Sequence, residues 1–232
     1  MILPNRIPNG AVARDSIDED EELFSIPTNL VLSVANSTLD SKVKKDLEPL
    51  EDWAALVIVL IYEDGKGDES WWSPYLSILP WELDTLIFWS EEELSELQGS
   101  TVLQKIGKKD AEGFFRETLW QIVKANVSHF GRHRETLQAP HGIDCFVTMA
   151  HRMASLIFAY GFDLTPADIV DSDTETEDES NATSPASTKS MIPLADLLNA
   201  DADLNNVRLV VELKISLAEL FTRHAWCKVS RA

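Results

Sequence analysis

Asp201, Asp203, Asn205 and Glu212 fall at positions one, three, five and twelve of a calcium-loop spacing. In such a loop short oxygen-bearing side chains alternate and a bidentate glutamate closes the shell. Two residues in the same stretch oppose that chemistry. Asn206 stands at position six, where the sharp turn favours glycine, and the cation Arg208 stands at position eight, where an apolar side chain packs. No second loop of this kind accompanies it, so no metal is expected here. His129 and His133 sit one helical turn apart, but Gly131 between them weakens a helix. His141 and Cys145 make a looser pair, and there is no H-E-x-x-H. These are expected to be solvated loop side chains, not zinc ligands. Without G-x-S-x-G or G-x-x-x-x-G-K, enzyme classes built on those motifs have no support.

The densest chemistry lies in "ESWWSPYLSILP", where Trp71, Trp72 and Tyr75 stand beside two prolines. Aromatic side chains so close together can line a groove for an extended peptide or a lysine stem. They can equally plug a core beneath helices. Composition alone leaves both open.

Ala11 to Ser33 reads as β: "GAVARDSI" and "ELFSIP" flank an acidic turn, Pro27 ends the second strand, and "LVLSV" makes a third. From Ser41 the period changes. "KVKKDLEPLEDWAALVIVLIYED" has helical length and ends in a Gly65–Gly67 turn. "SPYLSILP" is a Pro-bounded segment, and Ser90 with Glu93 forms a capping box for "EEELSELQ". "DAEGFFRETLWQIVKANVSHF" and "CFVTMAHRMASLIFAYGF" are two further helices, the second buried on most sides. "DIVDSDTETEDESNATSPASTKS" is acidic and rich in Ser and Thr, as a disordered linker is. Ser172, Thr174 and Thr176 each precede an acid by three residues, a phosphorylation pattern that a plain solvated loop also produces. Three short strands around a long helical region make an α+β chain with helices inserted into a β domain. That sheet is too small to stand uncovered: either the helices cover it or a further strand is needed.

With 20 basic and 39 acidic residues in 232, the net charge of −19 opposes nucleic-acid phosphates and anionic lipid and suits a basic protein partner. Plain solubility explains it as well. The two cysteines, Cys145 and Cys227, have no CxxC spacing and are expected to be reduced thiols in an intracellular protein. The first residues lack the apolar core of a signal peptide, and the run from Trp53 to Tyr62 is too short to span a bilayer. The sequons at Asn36, Asn126 and Asn181 are then chance matches.

Four stretches in order carry a resemblance. "WWSPYLSILPWELDTLIFWSEEELSELQGS", "NGAVARDSIDEDEELFSIPTNLVLS", "AHRMASLIFAYGFD" and "MIPLADLLNADADLNNVRL" together resemble SET-domain protein-lysine methyltransferases. The nearest class is that of Rubisco large-subunit and fungal ribosomal lysine methyltransferases. The match runs from about Gly10 to Leu209, and the acidic run falls where fungal members carry a variable insertion. It implies a partial SET-type β domain with a large helical insertion. The boundaries would be SET strands over 6–40, the insertion over 41–165, a disordered acidic linker over 166–190, a core segment over 191–209 and a divergent tail over 210–232. It also implies S-adenosylmethionine as methyl donor and a basic protein substrate, expected to be ribosomal, with no metal, nucleic acid or membrane. A monomer in the nucleus, with the cytoplasm also open, completes that expectation.

Residue by residue, the resemblance puts Asn9, Gly10, Tyr160, Asn199 and Ala200 at the cofactor, and Trp72 and Asp196 on the substrate-lysine side. Pro8 replaces the family's first glycine, and Ala200 replaces the histidine of an Asn-His pair, as it does in fungal relatives. The family's later N-x-x-Y-G segment, with the tyrosine that orients the lysine, has no match: the tyrosines here are Tyr62, Tyr75 and Tyr160. No catalytic residue is therefore assigned. The tail "VVELKISLAELFTRHAWCKVSRA" departs from the family, so the chain is expected to be a C-terminally truncated member with weak or no activity by itself. The rival expectation is a non-catalytic acidic module that binds a basic partner.

Overall fold

The computed structural model describes Ala11, residues 13–18, 21–164 and 188–198, and the backbone of 207–212 and 224–229. Two compact units divide the chain. One runs from Ser33 to Tyr160, and the other combines Met1–Leu32 with Gly161–Ala232.

The Ser33–Tyr160 unit is helical. It contains α1 (Ser41–Leu47), α2 (Asp52–Lys66), α3 (Ser73–Ile78), α4 (Glu91–Ser95), α5 (Lys108–Phe114), α6 (Trp120–Ala125), α7 (Arg134–Gln138) and α8 (Gly142–Tyr160). The single long helix expected from residue 42 is two, because Pro49 has no N–H to return to a carbonyl one turn back. Asp40 caps α1 by accepting from the Lys42 N–H at 2.8 Å. The Ser90 and Glu93 capping box of α4 forms as the sequence predicts. "SPYLSILP" is α3, with Pro74 inside its first turn, where a missing N–H costs nothing. The expected helix from residue 110 is α5 and α6 joined by a π-helical turn over Phe115–Leu119, and Gly113 just ahead of it lowers helix propensity.

Ala54 to Ile61 is buried without interruption, since α2 is apolar on every side and packs against α8. Each of its Leu, Ile and Val side chains contributes about 1.5–3 kcal/mol by leaving water. α8 adds Phe146, Val147, Ala150, Met153, Ala154 and Ile157 as an inward stripe at helical spacing.

Within this core Glu63 is fully buried, and its carboxylate accepts from Ser37 Oγ at 3.2 Å, Ser70 Oγ at 2.7 Å and Lys66 Nζ at 3.2 Å. Nearby, Asp64 accepts from Arg132 at 3.0 Å and lies 2.7 Å from His133 Nε2. His133 is thus a hydrogen-bond partner of Asp64, not a solvated loop residue. The crossing is close: a Cβ on Gly131 would lie 2.2 Å from the Gly65 carbonyl oxygen, which only glycine permits.

The other unit holds the strands β1 (Glu22–Pro27), β2 (Gly161–Leu164), β3 (Thr188–Met191), β4 (Val207–Glu212) and β5 (His224–Val229). β2 and β3 form an antiparallel pair, extended by a bridge between Leu32 and Met191. β1, β5 and β4 form an antiparallel sheet in that order, with Ser25 opposite Trp226 and Val210 opposite Trp226 on the other side. Ile26, Val31, Ile192 and Ala195 make a small core, covered by Phe24, Leu30, Phe162 and Leu164.

Here the expectation from sequence needs correction. Of "GAVARDSI", residues 13–17 form no strand, and of "LVLSV" only Leu32 makes a bridge, after a 3-10 turn at Thr28–Leu30. The missing strands come from beyond the linker: β4, which straddles the end of the family-like segment, and β5, in the divergent tail, extend β1 into a sheet. A strand has no stable existence until its backbone groups find a partner, so distant segments complete it. The acidic linker lies outside the described residues.

Candidate functional site

The segment that carried the resemblance, "MIPLADLL", begins at the end of β3. Met191 exchanges both backbone hydrogen bonds with Leu32, at 2.9 Å each. The chain then turns through Pro193 and Leu194 into a single 3-10 turn, Ala195–Leu197. Leu194 has φ 75° and ψ −41°, and it is the one non-glycine residue with positive φ among the described residues. A branched aliphatic side chain there costs on the order of 1–3 kcal/mol, and such strain concentrates where a fold holds a functional segment. Leucine carries no sequence signal for this conformation, so it was not legible beforehand.

Asp196 is half-buried in the 3-10 turn, and its N–H donates to the Ile192 carbonyl at 3.3 Å. The next carbonyl, that of Leu197, accepts from the Ala11 N–H at 2.9 Å. One hydrogen bond thereby joins the first family-like stretch of the chain to the last. Asn9, Gly10, Asn199 and Ala200, the other residues assigned to the cofactor, lie outside the described residues, as do Asp201, Asp203 and Asn205. Glu212, the last position of the calcium spacing, ends strand β4. No cluster of metal-ligating side chains occurs among the described residues.

Tyr160 is half-buried and closes α8, so the helix that buries the core of the helical unit also places this ring. Trp72 is 4% exposed at the start of α3, and Tyr75 is 7% exposed one turn later. Of the two uses left open for the aromatic cluster, these two side chains therefore take the buried one. Trp71, at 65% exposed, keeps its face to water. The indole of Trp81 is also exposed, with the Arg152 guanidinium 4.2 Å above its ring.

Comparison with known proteins follows the same line. No protein-family model matches the chain. It is 35% identical over 210 residues to ribosomal lysine N-methyltransferase 4 of Saccharomyces cerevisiae, covering 87% of this chain and 41% of that protein. It is 31% identical over 205 residues to N-lysine methyltransferase setd6 of Xenopus laevis, covering 84% of this chain and 41% of that protein. A shorter match, 36% over 95 residues, covers 41% of this chain and 19% of the chloroplastic Rubisco large subunit N-methyltransferase of Pisum sativum. Among solved structures, the SET domain of LSMT bound to lysine and AdoHcy superposes with a TM-score of 0.64 at 20% identity, over 95% of this chain and 43% of that one. The chain thus spans about two fifths of the length of the first two relatives.

Proposed function

The chain is a homologue of the SET-domain protein-lysine methyltransferases and has the fold of their SET domain, and from that premise we propose that it serves S-adenosylmethionine-dependent methylation of a protein lysine ε-amine. The observation that carries this is the 35% identity over 210 residues to a ribosomal lysine methyltransferase. We extend the proposal to a ribosomal protein as substrate. The net charge of −19 supports it, because an acidic surface attracts lysine-rich proteins and speeds their encounter.

By residue type, the positions assigned to the cofactor suit it. The Ala11–Leu197 hydrogen bond ties together two segments whose flanking residues, Asn9 and Gly10 before and Asn199 and Ala200 after, are those assigned to it. Side-chain amide and backbone groups suit the polar ends of such a molecule, and an aromatic ring of the Tyr160 type suits its flat portion. When bound, S-adenosylmethionine supplies an electrophilic methyl group. The protein's part is to hold the lysine amine in line and keep water out. The amine must be neutral to carry a lone pair, and burial lowers a lysine pKa in that direction. The resemblance puts Asp196 among the residues lining the lysine side.

Calorimetry with S-adenosylmethionine tests this. Micromolar binding that Asn199→Ala abolishes supports the assignment, and absence of binding to the folded chain removes it. Incubation with labelled cofactor and ribosomal proteins then reads turnover. A second reading, an acidic module that binds a basic protein without a cofactor, rests on the charge alone; it requires tight binding to a basic protein with no cofactor affinity. Nuclear location belongs to the main proposal and is read from a fluorescent fusion.

A further inference from the structure

The helical unit contains a cavity of about 600 Å³, walled by α2, α5, α8 and the turns between Thr85 and Ile106. That volume suits a small organic molecule. Its walls are mostly apolar, with Trp53, Val102, Ile106, Phe115, Ala154 and Phe158 among them. The Trp53 ring lies 5.6 Å from that of Phe158 and 5.8 Å from that of Phe114, and its indole N–H donates to Glu51 at 2.7 Å. One wall is therefore a braced aromatic surface, and Phe158 leaves it 69% exposed.

Two polar features interrupt this lining. His151 is 7% exposed, and neither ring nitrogen has a hydrogen-bond partner. The nearest carboxylate, Glu112, stands at 3.6 Å, beyond hydrogen-bond reach, and Phe115 and Phe88 lie edge-on to the ring at 5.1 and 6.5 Å. A buried polar group left without partners is costly, but both ring nitrogens are closed off from the accessible surface, so the imidazole meets the cavity as wall. Burial holds this imidazole below its usual pKa and so neutral near pH 7, with Lys108 acting in the same direction and the Glu112 carboxylate opposing. The second feature is charge. Among the described residues, Lys105 is the one with a formal charge lining the cavity, and no acid does so.

We propose that this cavity binds a small apolar monoanion, an aliphatic or aromatic carboxylate. Its body lies against Trp53, Phe115 and Phe158. Lys105 supplies the counter-charge, and the His151 ring lines the wall. An apolar pocket with one cation selects such a ligand over a neutral one of equal size, because the head group gains a partner that the neutral molecule lacks. The site lies wholly within the helical unit and does not depend on the methyltransferase reading.

The test uses the full chain with octanoate and 1-octanol as probes, followed by calorimetry and by displacement of an apolar fluorophore. The expected result is one saturable octanoate site, at least tenfold tighter than that for octanol. Lys105→Gln, at an exposed position, should lose that advantage and leave octanol binding within twofold. Ser155→Trp, projecting bulk from α8 into the cavity, should remove both. Absence of saturable binding, equal affinities for the two probes, or unchanged octanoate affinity in Lys105→Gln would each overturn the proposal.

Discussion

The Ala11 N–H and the Leu197 carbonyl oxygen are hydrogen-bonded at 2.9 Å, joining the start of the described chain to the turn that follows β3. Its ends lie near, in sequence, Gly10 and Asn199, which the resemblance assigns to the cofactor. It also explains why a segment holding a strained leucine remains in place: the turn is pinned at one end by Met191 against Leu32 and at the other by Ala11.

Leu194→Gly should stabilise the protein by about 1 kcal/mol, because glycine accepts φ 75° without steric cost and the leucine, 58% exposed, loses little packing. Leu194→Ile should do the reverse. Urea denaturation of the two variants reads both. A loss of stability in Leu194→Gly would mean that the residue's contacts outweigh its backbone strain.

Glu63→Ala should cost about 3 kcal/mol or more, since Ser37, Ser70 and Lys66 would lose a fully buried acceptor. Glu63→Gln, which keeps one acceptor oxygen, should cost less. A chemical denaturation midpoint for Glu63→Ala equal to that of the parent would refute the cluster's role.

Gly131→Ala should destabilise by roughly 2 kcal/mol or more, through both its φ of +45° and a 2.2 Å approach to the Gly65 carbonyl oxygen. Gly99→Ala makes the control. Gly99 has φ +86° with open space around it, so only the backbone cost of about 1 kcal/mol applies. Thermal melts of the two variants should differ in that order.

Acid should weaken the fold in two steps. Burial holds the folded-state pKa of His151 below 6.5, so the unfolded chain binds the proton more readily. Stability therefore falls as pH drops below 6.5 and levels once the folded-state pKa is passed. Burial would raise the Asp64 carboxyl, but hydrogen bonds from His133 and Arg132 and their charges prevail and hold it below 3.8. Its contribution is complete above pH 3.8 and is lost as pH falls through the lower, folded-state value. Denaturation against pH should show both slopes, with His151→Phe removing the upper one and Asp64→Asn the lower.

What the sequence determined by itself was local. The uninterrupted apolar run of α2, the Ser90–Glu93 capping box and the strand ended by Pro27 each follow from neighbours within one or two turns of chain. The ordered motifs likewise pointed to the SET-domain family. Tertiary structure decided the rest. Nothing local to "HAWCKV" says that it lies between β1 and β4, because pairing depends on which distant backbone groups remain unsatisfied. Nothing local separates Trp72, buried, from Trp71, exposed, since both rings are equally apolar and the turn into α3 chooses between them. Spacing alone makes His133 a loop residue; the α2 crossing at Gly65 and Gly131 brings Asp64 to it. Spacing along the chain sets helices and caps; contacts between remote segments set partners, strain and cavities, and those exist only once the chain has packed.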